Sequence, residues 1–141
     1  MSNWIDKVTK ANFLPGKDNS RFYVFSKQFN ALVDKVNTLL GRGTVTQTGS
    51  ANSTDAVTLN KRAGVITTPS ATLNTDLELE FTVNNSFVES DSVIILTGLY
   101  DGNSHVSLNV KSVADGSFVV VLANSGGVAL NATVGVQFLV L

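Results

Sequence analysis

Six apolar residues, Phe22, Phe25, Phe29, Leu32, Val36 and Leu39, recur at spacings of three and four, and the pattern stops at Gly41-Arg42-Gly43. Those spacings put all six on one stripe of a helix, the seam by which helices wrap around each other. The ladder lasts under three heptads, and an isolated helix of that length is marginal in water. A partner held by some other part of the chain is therefore needed. Phe29, Leu32, Val36 and Leu39 form one face, thickened by Val33 and Leu40, and these six residues are the expected oligomer interface. The helix begins either near Ser20, with all six ladder residues in it, or after an N-capping Ser26, with Phe22 and Phe25 in an extended strap. Gly41 falls where a helix C-cap glycine belongs.

Beyond Gly43 the period changes to two. Residues 44–48 and 56–59 alternate as short strands on either side of Gly49-Ser50-Ala51-Asn52-Ser53, and residues 64–68 follow, ended by Pro69. The clearest alternation is 77–83: Leu77, Leu79, Phe81 and Val83 are expected to face a core, with Glu78, Glu80 and Thr82 facing water. Val93-Ile94-Ile95-Leu96 is a continuous apolar run, which predicts a strand buried on both faces. Tyr100-Asp101-Gly102-Asn103 signals a turn into a return strand carrying Val106, Leu108 and Val110. Asp115-Gly116 turns again into 118–122, and 135–141 closes the chain as an apolar strand expected to be tied into a sheet or an interface.

About eight strands at this spacing, with no helical period between them, predict a mainly β protein. Its centre is an antiparallel β-sandwich or jelly-roll-like domain over 43–141, preceded by an arm over 1–20 and a short helical stem over 21–42. In the arm, Trp4, Ile5, Val8, Phe13 and Leu14 are too apolar for a free tail. They either dock on a neighbour or fold back on their own domain.

Charged residues make up only 15% of the 141 positions, and the net charge is −1 with no basic block, which gives nucleic-acid binding little support. The chain has no cysteine, so neither disulfides nor thiolate chemistry operate. The start shows no signal-peptide pattern, and no run approaches the length of a membrane span. The expectation is a chain made in the cytoplasm that engages no membrane.

Candidate chemistry is sparse. His105 is the sole histidine and reads as a surface turn residue, since a general base needs an orienting acid and a nucleophile. Asp101-Gly102-Asn103 lacks the remainder of a calcium loop. Glu78 and Glu80 lie two apart on one strand, whereas the carboxylates of glycosidases face each other across a cleft. No phosphate-binding or nucleophile-elbow motif occurs. No catalytic, metal or cofactor residue is assigned, and the expected function is not enzymatic.

From residue 22 to the C-terminus the chain resembles small virion proteins of tailed bacteriophages. The similarity is carried by residues 29–37 with the glycine joint, by Val45-Thr46-Gln47, 56–60 and 64–68, and by 81–86, 114–118 and Val136-Gln137-Phe138. It implies a structural protein of the particle, either a head decoration (cement) protein, a head fibre or a tail-associated fibre domain, and such proteins are commonly homotrimers. The implied partners are further copies of the chain and the major capsid protein, and the implied location is the capsid exterior. In that reading Trp4, Ile5, Phe13 and Leu14 are the capsid-contact candidates. The alternative is a tail-fibre domain gripping a receptor or glycan through loops 49–55, 100–105 and 123–128, with Tyr100 their one aromatic residue.

Overall fold

A computed structural model describes residues 27–36 and 41–141 of the chain, which divides between Gly41 and Arg42 into two units. In the first, α1 spans 27–36. In the second, eight strands follow in order: β1 (Gly43–Thr46), β2 (Val57–Thr58), β3 (Ala63–Thr67), β4 (Glu78–Asn84), β5 (Ile94–Tyr100), β6 (Val106–Ala114), β7 (Ser117–Asn124) and β8 (Val134–Val140). Each falls on one of the segments where the sequence alternates or runs apolar.

The strands form two four-stranded sheets, ordered β1-β3-β8-β5 and β2-β4-β7-β6, packed as a sandwich. The central pairings β3·β8, β5·β8, β4·β7 and β6·β7 are antiparallel. At one margin of each sheet the pairing is parallel, β1 with β3 and β2 with β4. The reason lies in the connections. Apart from the β6–β7 hairpin, every consecutive pair of strands lies in opposite sheets, so the chain shuttles across the core. A strand that returns to its first sheet after one such excursion runs in its original direction. Parallel partners need a crossover rather than a tight turn, and here the partner sheet supplies it. For the same reason the turn at Tyr100–Asn103 does not close a hairpin: β5 and β6 belong to different sheets.

The core is built from the inward residues of both sheets. In β7, Phe118, Val120 and Leu122 point inward, and in β8 Val134, Val136, Phe138 and Val140 do, all buried. Phe118 and Phe138 meet across the sandwich with ring centroids 5.6 Å apart and planes inclined by 59°, the tilted arrangement aromatic pairs prefer. In β4 the alternation places Leu79, Phe81 and Val83 inside, as expected from sequence. Leu77 is a correction. It is 51% exposed, because Asp76 takes a left-handed φ of 61° and the Leu77 amide donates to the Asn74 carbonyl at 3.2 Å, so a turn breaks the alternation before β4 begins.

The run 93–96 is a second correction. It is not buried on both faces: Ile94 and Leu96 pack on the core, but Val93 and Ile95 are 59% and 48% exposed. β5 is the outer strand of its sheet, and no layer of the described residues covers its other face.

Candidate interaction surfaces

The two outer faces of the sandwich differ in kind. Directly opposed residues of neighbouring strands share a face, so the pairing registers give the rows of each. On the outer face of the second sheet, Glu80, Val121 and Asn109 form one row, and Glu78, Ala123 and Ser107 the next. Lys111 occupies the register shift between Val110 and Ser112 and donates to both carboxylate oxygens of Glu80 at 2.5 and 2.7 Å. This is an ordinary solvated sheet face. Glu78 and Glu80 belong to it and form no cleft. The bulge and its lysine on the marginal strand β6 also discourage sheet extension by another chain.

The outer face of the first sheet carries no ionisable side chain on its strands. Its rows are Ala63, Leu139 and Ile95, then Thr44, Val65, Gln137 and Thr97, then Thr46, Thr67, Gly135 and Leu99. Val93 and Leu141 exchange backbone hydrogen bonds of 3.1 and 3.0 Å beyond β5 and β8, which extends the face by one more apolar pair. Five large apolar residues are left exposed on it: Val93 and Ile95, Leu99 at 52%, Leu139 at 39% and Leu141 at 63%. A shallow open depression of about 290 Å³ lies here, lined among others by Ile95, Thr97, Gln137 and Leu139, with Arg42 at its edge. Scattered exposed leucines are ordinary on a protein surface, but a contiguous patch marks an interaction site.

Helix α1 exposes one large apolar side chain among its described residues. Val33 is buried, Phe29 and Val36 are half-buried, and Leu32 is 56% exposed. Of the residues expected to form the oligomer seam, these four lie among the described residues. Leu39 and Leu40 lie outside them, as do Trp4, Ile5, Phe13 and Leu14, Phe22 and Phe25, and the start of the helix.

The loops proposed to grip a glycan gather at one end of the sandwich, where polar side chains lock them together. Gln47 is buried just after β1 and donates to the Ser53 and Asp55 carbonyls at 3.3 and 2.7 Å. Asn52, with a left-handed φ of 59°, exchanges hydrogen bonds of 3.0 and 2.8 Å with Thr72. Asn124 is 1% exposed and uses its whole amide. It donates to the Leu73 and Val128 carbonyls at 2.9 and 2.7 Å, and accepts from the Ser104 hydroxyl at 2.8 Å and the Gly126 amide at 3.0 Å. Tyr100 is committed as well. Its hydroxyl donates to Asn131 Oδ1 at 3.2 Å and accepts from the Asn131 amide at 2.9 Å, while its ring lies over Gly102. His105 is exposed beside this cluster, and its carbonyl accepts from the Ser125 amide at 3.0 Å.

Sequence reasoning missed the first-sheet face because an alternating apolar pattern assigns one face to the core and says nothing about the other. The available signal was that Val93-Ile94-Ile95-Leu96 and Phe138-Leu139-Val140-Leu141 are apolar at both parities. Among the described residues no three metal-ligating side chains cluster, and no helix is long and apolar enough to cross a membrane. No protein-family model, curated protein or solved structure matches the chain.

Proposed function

We propose that the protein is a non-enzymatic structural component of a bacteriophage particle, a homotrimeric capsid decoration (cement) or head-fibre protein. It is made in the host cytoplasm and binds and stabilises the major capsid shell from outside. The observation that carries this reading is the first-sheet face, whose strands carry no charged side chain and which leaves Val93, Ile95, Leu99, Leu139 and Leu141 exposed, a surface that suits permanent burial in an assembly. The exposed Leu32 on the helical stem supports the same conclusion. Labelling of the protein on intact particles tests it. Label distributed over the head is the expected result, and label confined to the tail, or absent from particles, refutes the proposal.

One observation favours a second reading, a receptor- or glycan-binding fibre domain. The three loops 49–55, 100–105 and 123–128 come to one end of the sandwich, the usual place for binding loops on such a scaffold. Against it, Tyr100 is only half-exposed and its hydroxyl is already engaged by Asn131. A sugar platform needs a free aromatic face with polar groups around it. Glycan-array binding that disappears in Tyr100→Ala, while Tyr100→Phe retains it, would establish this reading over the first.

A further inference from the structure

We infer that the outer face of the first sheet, β1-β3-β8-β5, is a contact surface between copies of this chain. The inference rests on the homo-oligomer reading above and names the surface that the oligomer uses.

Charge is the first argument. No strand of this sheet carries a charged side chain, and Arg42, just before β1, is the charged residue lining its depression, while the outer face of the second sheet holds Glu78, Glu80 and Lys111. Recognition of a foreign partner is ordinarily steered and put in register by complementary charges. A face whose strands carry none supplies little such code, and copies of the chain meet across it with Arg42 as the charged side chain that must stay at the rim. Interface cores are depleted of charged residues, and permanent homomeric contacts are the most apolar class. Arg42 stands at the edge of the depression, where arginine is commonly enriched in interfaces.

Area is the second argument. Strands about 4.8 Å apart, four, five, seven and seven residues long at about 3.3 Å each, give a face of roughly 360 Å² in projection. That matches the largest apolar patches of monomers and is about half of what each partner buries in a standard stable interface. The face alone makes a weak contact, so a lasting assembly needs a second surface. Leu32, exposed on α1, is one residue available to such a surface.

The test is light scattering and sedimentation of the full chain across a concentration series. The variants are Ile95→Lys and Leu99→Lys, made separately, with Asn109→Lys on the second-sheet face as control. All three positions are exposed, so the fold accommodates the substitutions, and circular dichroism verifies it. The expected result is an oligomeric wild type and control, with association weakened about 100-fold or more in both first-sheet variants, because each subunit then buries an unpaired ammonium. An oligomer that survives both variants but dissociates in Leu32→Asp overturns the inference while leaving the homo-oligomer reading intact. A wild type that stays monomeric overturns both, and leaves the face to a foreign partner such as the capsid shell.

Discussion

Asn124 gives the sharpest test of how this sandwich is held together at its loop end. Its amide joins the segment before β4 to the β5–β6 connection and to the loop after β7 through four hydrogen bonds, with 1% of the residue exposed. Replacement by Asp keeps size and shape and keeps both acceptor bonds, from Ser104 and Gly126. It turns the donating nitrogen into an oxygen facing the carbonyls of Leu73 and Val128. Two donated bonds of about 1 kcal/mol each are lost, and the desolvation cost of carbonyls and carboxylate left facing one another adds about 1–3 kcal/mol. The Leu73 carbonyl still accepts from the Leu130 amide at 2.9 Å, so Val128 is the orphan and the lower half of that range applies. The expected loss is about 3 kcal/mol, which for a unit of this size lowers the unfolding midpoint by about 10 °C or more. Urea denaturation followed by tryptophan-independent far-ultraviolet dichroism, together with calorimetry, reads both quantities. Asn124→Ala, which loses all four bonds but buries no charge, should fall in the same range. An Asn124→Asp protein within about 0.5 kcal/mol of wild type, inside the ordinary scatter of a surface substitution, would show that water replaces the amide freely and that the loop cluster is not locked by it.

Three further outcomes follow from the same structure. Gly116 turns the β6–β7 hairpin at φ 80° with nothing within 4 Å of an added Cβ, so Gly116→Ala meets only backbone strain and should cost about 1–2 kcal/mol in denaturant unfolding. Lys111→Ala removes a bridge whose side chains are 56% and 38% exposed, and should change stability by less than about 1 kcal/mol, less still in high salt. Leu32→Asp at the centre of the stem should weaken the oligomer by several kcal/mol in total, about one buried unpaired charge per copy, read as a shift of the dissociation midpoint in analytical ultracentrifugation.

The strands were legible because period-two alternation is a local property: Leu79, Phe81 and Val83 announce their face without reference to any neighbour. The Asp115-Gly116 hairpin was legible for the same reason, since a two-residue turn fixes its own pairing. Leu77 misled because one left-handed residue, Asp76, displaces the alternation by a turn, and nothing in Leu77-Glu78-Leu79 records it. Asn85 and Asn124 stand in Asn-, Ser- and Gly-rich stretches after β4 and at the end of β7, yet they are the two most deeply buried side-chain amides of the sandwich, at 1% exposure each. Asn85 donates to the Lys61 carbonyl at 2.6 Å and accepts from the Phe87 amide at 3.0 Å. A buried asparagine is affordable only where carbonyls and amides distant in sequence converge on it, and that convergence cannot be read from its neighbours.

The sequence by itself determined that eight short strands follow a helical stem, that Gly41 and Gly43 end the helical pattern, and that the core is aliphatic with a few phenylalanines. These follow from the spacing of apolar side chains and from backbone preferences acting over a few residues. Only the tertiary structure decided which strands pair, that the chain crosses between sheets at nearly every connection, and that the marginal pairs run parallel. It also decided that the second apolar parity of β5 and β8 faces outward, since a strand cannot know locally whether another layer will cover it. That exposed face, with no charged side chain on its strands, is the part of the molecule on which its proposed role in assembly rests.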